Sequence, residues 1–338
     1  MPADMGGQGD TAALQVKSSA YATPIRSASM HILFQTADTA SQDAWLRDLR
    51  SALPHAEIRL WQAGDTAPAD YAIVWKPPFE MLQAHPELKA VFNLGAGVDA
   101  ILQLKVVPEQ LPLIRIDDGG MAEQMAEFAT HAVLRYYRRL DQYELLARRG
   151  VWKPLEPFDK ADFGVGVLGL GVLGQRISES LQHFGFNVSG WSRSPKALPG
   201  VTGYAGAGQL NDFLRSARVL ICMLPLTPDT AGVLNRDTLS QLPRGAYLIN
   251  LARGGHLVEA DLPPLLESGQ IAGATLDVFH DEPLPTSHPF WQDPRIAITP
   301  HISALTIRSE AARQIGEKIL ALQRGEPVLG LVDRSRGY

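Results

Sequence analysis

The chain of 338 residues is 45% hydrophobic and 20% charged, the balance of a soluble globular protein, and is long enough for roughly two domains that each bury a core. A formal net charge of −5 with no Lys/Arg run argues against nucleic acid as a partner, and no stretch approaches the roughly eighteen uninterrupted apolar residues of a membrane span. Cys222 is the only cysteine, which excludes an intramolecular disulfide framework and a thiolate metal cluster; in the apolar run 219–224 it reads as a small buried hydrophobe.

Residues 1–29 are rich in Gly, Ala and Ser, show no sustained periodicity and lack the apolar core of a secretory signal. They are expected to be a disordered extension or an appended segment, and Asp4 and Asp10 count against a transit peptide. Met30-His-Ile-Leu-Phe opens the first predicted strand, over 30–35. Ala44, Leu46, Leu49 and Leu53 then follow at helical spacing up to Pro54. Further strands are predicted at 58–61, at 71–75 (stopped by Pro77-Pro78), at 90–94 and at 113–116. This alternation predicts a parallel α/β domain over about 30–118. Gly119-Gly120 precede one long predicted helix over about 121–149, an interdomain connector. Its aromatic and basic half, Tyr136-Tyr-Arg-Arg-Leu140, is either a solvated face or a dimer contact.

Residues 163–194 are the most informative stretch. Val165, Val167 and Leu168 read as a buried strand, followed by Gly169-Leu-Gly171-Val-Leu-Gly174. A helical spacing of Ile177, Leu181 and Phe184 comes next, then a stop at Gly185 and a second strand over 188–191. Strand, glycine turn, helix and strand in this order form a dinucleotide-binding unit, with the phosphates on unpaired N–H groups at the helix start. An NAD-binding unit would carry an Asp or Glu after the second strand to hold the ribose. This chain has Trp191-Ser192-Arg193-Ser194 instead. A carboxylate there would repel a 2′-phosphate, whereas two hydroxyls and a guanidinium can hydrogen-bond it. NADP(H) is therefore the expected cofactor, with NAD(H) as the alternative.

Strands at 218–224, 246–250, 273–277 and 296–299, separated by helical stretches near 209–215, 237–242 and 259–268, continue the alternation. A last helix over 304–324, with Ile307, Ala311, Ile315, Ile319 and Leu322 on one face, is predicted to return to the first domain. Ligands bind at the C-terminal ends of strands in open parallel sheets. Three successive strands there offer Arg253, the segment from Asp277 to Glu282, and His301. An anchor, an acid and a proton donor are what reduction of a carbonyl requires beside its cofactor.

Asn250-Leu-Ala-Arg253-Gly, Leu276-Asp-Val-Phe-His-Asp-Glu282-Pro and Thr299-Pro-His301, together with the glycine turn, resemble the signatures of the D-2-hydroxyacid dehydrogenases in order and spacing. The resemblance covers about 30–338. Val74-Trp75-Lys-Pro-Pro78, Leu94-Gly-Ala-Gly-Val-Asp99, Gly171-Val-Leu-Gly174, Trp191-Ser-Arg193 and the tail 332–338 are similar to its glyoxylate/hydroxypyruvate reductase A branch. The resemblance implies two doubly wound parallel-sheet domains, Rossmann-like and flavodoxin-like, with the active site in the cleft between them. The cofactor domain, 121–302, would be inserted into a substrate domain made of 30–120 and 303–338.

It also implies residue roles. Arg253 would grip the substrate carboxylate and polarise the carbonyl. His301, as imidazolium, would protonate the carbonyl oxygen, and Glu282 would hydrogen-bond its other nitrogen and favour the charged ring. Ala96 and Gly97 would offer backbone N–H groups to the carboxylate, and Trp75 is the best candidate for a pocket wall. Trp45 and Trp152 read as core or interface packing. Val172, Leu173 and Gly174 would meet the pyrophosphate, and Ser192, Arg193 and Ser194 the adenosine ribose. Leu224, Pro225 and Thr230 would line the nucleotide edge; Leu251, Ala252, Arg253 and Asp277 would line the nicotinamide. Ile302-Ser303-Ala304 stand where many relatives have paired glycines.

The expected activity is reduction of glyoxylate and hydroxypyruvate with NADPH and no metal, by a cytoplasmic homodimer whose partners are small 2-oxo and 2-hydroxy acids. The alternatives are an NAD-dependent dehydrogenase of a bulkier 2-hydroxy acid and a nucleotide-sensing scaffold without turnover. Retention of Arg253, Glu282 and His301 counts against the scaffold.

Overall fold

The computed structural model describes residues 30–337; the expectations for residues 1–29 and for Tyr338 lie outside the described residues. Short runs rich in Val, Ile and Leu, bounded by Gly, Pro and Asp, form the central strands, buried on both faces as parallel sheets require. Strands β1 (Met30–Thr36), β2 (Ala56–Leu60), β3 (Tyr71–Trp75), β4 (Ala90–Asn93) and β5 (Leu113–Arg115) make a parallel sheet in the order β2-β1-β3-β4-β5. Its helices are α1 (Gln42–Ala52), α2 (Phe79–Gln83) and α3 (Asp99–Leu104). Ile32 and Phe34 of β1 join the cluster on one face and Leu33 the cluster on the other, the period of two expected of a strand.

After α4 (Met121–Tyr137) and α5 (Leu140–Arg148), a second parallel sheet is built from β6 (Gly164–Leu168), β7 (Asn187–Ser192), β8 (Val201–Ala205), β9 (Val219–Cys222), β10 (Ala246–Asn250), β11 (Ile271–Leu276) and β12 (Ile296–Ile298). Its order is β12-β11-β10-β9-β6-β7-β8. The chain changes direction between β6 and β9, the switch point where open α/β sheets bind ligands. Helix α6 (Val172–His183) follows β6, with α7 (Leu210–Ser216), α8 (Arg236–Leu239) and α9 (Leu262–Glu267) further on. Tyr247 and Ile249 of β10 face the core shared with α4 and α6, and Leu248 faces the opposite one.

The last helix, α10 (Arg308–Gln323), packs on α1, with Ile315 and Ile319 in the core of the first sheet. Lys318 Nζ donates to the Arg115 carbonyl and to Asp117 Oδ1, each at 2.8 Å, and Leu331 bridges to Ile114 beside β5.

One predicted element is two. The single helix expected over 121–149 breaks at Arg138–Arg139, where Arg139 takes a left-handed φ of 58°. Its guanidinium is drawn to the 156–158 segment instead, donating to the Glu156 carbonyl at 2.9 Å and lying over the Phe158 ring. Apolar periodicity cannot register such a polar anchor. β8, an edge strand with no buried residue, was not predicted either, because β-pattern reading depends on buried alternation. Among the described residues, no helix is long and apolar enough to cross a membrane.

Candidate active site

The glycine turn shows a clear division of labour. A Cβ on Gly169, where φ is +114°, would lie 2.7 Å from the Met223 carbonyl oxygen, and one on Gly174 would lie 2.0 Å from that of Gly169. Packing within the protein therefore requires both. A Cβ on Gly171 would meet nothing within 4 Å, so the protein itself gives no reason for glycine there. A backbone left bare towards open space suits close approach by a ligand. Gly171 also caps α6 without a side-chain hydrogen bond, and no acidic residue occupies the first turn, Val172-Leu173-Gly174. The first N–H groups of α6 are thus available to an anion. Lys196, which sequence reading did not single out, places its ammonium 2.6 Å from the Leu170 carbonyl in the same turn.

At the end of β7, the Ser192 hydroxyl donates to the Ser194 carbonyl at 2.8 Å and bends the chain, leaving Arg193 and Ser194 exposed. Arg193 Nη2 lies 3.7 Å from Asp229 Oδ2, on the loop that follows β9. That loop holds Leu224, Pro225 and Thr230. The Thr230 hydroxyl donates to the Pro225 carbonyl at 2.6 Å and accepts the Thr227 N–H at 2.8 Å, so it shapes the loop from within. Cys222, at the end of β9, is fully buried, and burial pushes its thiol up to about 12, which removes it from thiolate chemistry.

Arg253 follows β10, Glu282 follows β11 and His301 follows β12, three strands adjacent in the sheet. His301 Nδ1 donates to Glu282 Oε2 at 2.8 Å, and Glu282 Oε1 accepts the Phe279 N–H at 3.0 Å. The ring is half-exposed and its Nε2 is the nitrogen left for a ligand. His301 is held at φ 55°, a left-handed conformation rare for a residue with a Cβ.

Asp277 is fully buried, and its oxygens accept from Thr299 Oγ1 at 2.5 Å and from the Ile302 and Ser303 N–H groups at 2.9 Å. The residue expected beside the nicotinamide thus anchors the histidine loop. A carboxylate has about four acceptor positions, so capacity remains for one further donor. Leu251 and Ala252 are buried beneath Arg253, and the Asn250 side chain bonds the Arg253 carbonyl and the Ala252 N–H.

The first sheet contributes the facing wall. Asn93, buried at the end of β4, donates through Nδ2 to the carbonyls of Gly95 at 2.8 Å and Gly97 at 2.9 Å. In a trans peptide the N–H points opposite to the C=O, so the Ala96 N–H is turned away from Asn93. A Cβ on Gly97 would lie 2.0 Å from Arg253 Nη2: the arginine of one unit rests on the loop of the other. Arg253 Nε also donates to Asp99, at 3.2 and 3.3 Å from its two oxygens. The Trp75 ring packs against Gly95, where a Cβ would fall 2.5 Å from its Cζ3, and with Trp45, Leu94, Thr36, Asp38 and Thr306 it lines a cavity of about 150 Å³. Trp45, read from sequence as packing, is both core and cavity wall, whereas Trp152 is 99% exposed and belongs to no core. Asn93 and Asp99 escaped sequence reading as site residues, although Asp99 closes the 94–99 motif that was noted.

A family model described as D-isomer specific 2-hydroxyacid dehydrogenase, NAD binding domain, matches residues 130–303. A protein of Serratia proteamaculans named glyoxylate/hydroxypyruvate reductase A is 53% identical over 301 residues, 88% of this chain and 96% of that protein. A Yersinia enterocolitica protein of the same name is 51% identical over 299 residues, covering 87% and 96%. Among solved structures, a D-isomer specific 2-hydroxyacid dehydrogenase from Xanthobacter autotrophicus, in complex with NADPH and MES, superposes with a TM-score of 0.87 at 44% identity over 92% of this chain and all of that one. The NADPH-dependent glyoxylate/hydroxypyruvate reductase of Sinorhizobium meliloti, in complex with NADP and sulfate, does so with a TM-score of 0.85 at 34% identity, over 91% of this chain and all of that one. Sequence identity over nearly the whole of the described chain, the shared fold and the strand-end constellation converge: the chain belongs to the D-isomer specific 2-hydroxyacid dehydrogenase family.

Proposed function

We propose that this protein reduces glyoxylate to glycolate and hydroxypyruvate to D-glycerate with NADPH. The observation that carries the reading is the pairing of His301 with Glu282 on the cofactor side of a cleft whose other side presents the Gly95–Asp99 loop to Arg253. Relatives about half identical to it bear that activity in their names, and the solved Xanthobacter and Sinorhizobium structures hold NADPH or NADP.

Residues 121–302 form the cofactor domain in this reading, and 30–120 with 303–338 the substrate domain. The first turn of α6 would hold the pyrophosphate. Ser192, Arg193 and Ser194 would hold the phosphorylated ribose, and the Leu224–Thr230 loop with Leu251 and Ala252 the remaining edge. When bound, the dinucleotide supplies the hydride. The chain does the rest. Arg253 binds the substrate carboxylate through its guanidinium fork, with the Ala96 and Gly97 amides beside it. His301 delivers the Nε2 proton to the carbonyl oxygen, while Glu282, on Nδ1, fixes the ring orientation and stabilises the imidazolium. Trp75 closes the wall against bulky substituents, which suits a substrate of two or three carbons.

A homodimer built through the 121–149 segment completes the reading. It is supported by α5, which buries no residue of its own, and by Trp152, exposed on the strand-less arm that follows. A cytoplasmic location agrees with a single, free cysteine. The test is loss of reduced-nicotinamide absorbance with glyoxylate and hydroxypyruvate, run with NADPH and NADH in parallel. Turnover that prefers NADPH and disappears in His301→Ala supports the proposal. Nucleotide binding without turnover of either acid refutes it.

A further inference from the structure

The guanidinium of Arg253 is not free to choose its direction. Its Nε faces both oxygens of Asp99, at 3.2 and 3.3 Å, and its Nη1 donates to the carbonyl of Ala252 at 2.6 Å. Its Nη2 lies directly over Gly97, where a Cβ would intrude to 2.0 Å. The two side chains are only 32% and 21% exposed. Arg253 hangs from the end of β10 in the second sheet, whereas Asp99 begins α3, beside the first sheet. The ion pair therefore spans the cleft.

An arginine on a mobile stem loses much of its value as an anchor, because its rotamers must be frozen each time a ligand arrives. A carboxylate on the Nε edge freezes them beforehand and leaves the Nη edge for an incoming carboxylate. Charge alone would argue against Asp99, since an anion near the binding site of another anion weakens it. Its retention against that cost makes sense if orientation matters more. Because the partners sit on different units, any opening of the cleft would separate them and release the arginine.

We propose that Asp99 is the positioning residue for Arg253, aligning the substrate-binding edge of the guanidinium and making that alignment conditional on closure. This inference rests on the reading of Arg253 as the carboxylate anchor. Asp99→Ala is expected to lower kcat/KM for glyoxylate about 10²-fold, the usual scale for a small misplacement of a binding group, with NADPH affinity unchanged. Asp99→Asn, which keeps the shape of the helix start, is expected to lose about tenfold, since a neutral acceptor makes a weaker bond than a charged one. This variant keeps the test sound if the alanine variant folds poorly.

Chemical rescue provides a readout that a merely structural role would not move. Added guanidinium should restore turnover to Arg253→Ala, and fail to do so in Arg253→Ala combined with Asp99→Asn. Wild-type kinetics in both Asp99 variants, or equal rescue in both backgrounds, would overturn the proposal. An Arg253→Ala variant whose KM for glyoxylate is unchanged would overturn the anchor reading beneath it.

Discussion

Asp277 and His301 are joined through the backbone as well as by position: the His301 N–H donates to the Asp277 carbonyl at 2.8 Å. The Asp277 carboxylate, fully buried, gathers the Thr299 hydroxyl and the Ile302 and Ser303 amides around the same turn. The left-handed conformation of His301 is thus held by a loop with one acceptor at its centre. All three groups facing that acceptor are donors. Asp277→Asn would turn an NH₂ towards one of them and leave two donors opposed. We expect a loss of about 1–3 kcal/mol in urea unfolding, together with a fall in kcat. Wild-type stability would show that the loop is held by other means.

Gly97→Ala places a methyl group 2.0 Å from Arg253 Nη2. The guanidinium must move or the cleft must open. The expected outcome is a KM for glyoxylate raised by about 10²-fold with NADPH affinity intact, measured by steady-state kinetics and a nucleotide titration.

Arg193 stands half-exposed beside Asp229, where no carboxylate of its own strand end opposes a 2′-phosphate. Hydrogen bonds to a charged group contribute about 1.5–3 kcal/mol. Arg193→Ala should therefore weaken NADPH by about 10- to 100-fold while barely changing NADH. Equal losses for both nucleotides would remove Arg193 from 2′-phosphate recognition.

His256 is a buried histidine just past Arg253, with its ring nitrogens 3.1 Å from the Arg253 carbonyl and 3.3 Å from the Pro225 carbonyl. Burial is the main cause that lowers its pKa below the ordinary 6.5; the two carbonyls and Asp99 oppose that shift, and the charge of Arg253 adds to it. The unfolded chain then binds more protons than the native one between the lowered value and 6.5. The contribution of His256 to stability is complete above about 6.5 and is lost as pH falls through that window. His256→Gln should show a shallower fall in Tm over the same acid range. An identical slope would assign the acid sensitivity to other groups.

The strand-end residues were legible because each follows, within a few residues, a short apolar stretch that announces a buried strand, and parallel sheets place ligands at that end. The glycine turn was legible for the same reason. Asp99, Asn93 and Lys196 were not, since their significance lies in contacts with residues far away in the chain or with loop carbonyls. Their side chains are ordinary for a helix start, a strand end and a loop. The break at Arg139 escaped because the Arg138-Arg139 pair interrupts no apolar pattern. Asp277 is the instructive case. Its position was clear from sequence, but the donors that surround it follow the neighbouring strand β12, more than twenty residues on, and meet it only on folding.

The division of the cleft also bears on how such a chain can change over time. On the proposed assignment, proton delivery and the anchor belong to the β10–β12 edge, and the wall against the substituent belongs to the β1, β3 and β4 edge, with Trp75 and the cavity beside it. Substitutions around Trp45, Trp75 or Thr36 can reshape what fits without disturbing the Glu282–His301 pair. Substrate range can therefore drift while the reaction stays fixed. One chemistry on this scaffold can serve many acids, and a new preference needs changes on only one side of the cleft.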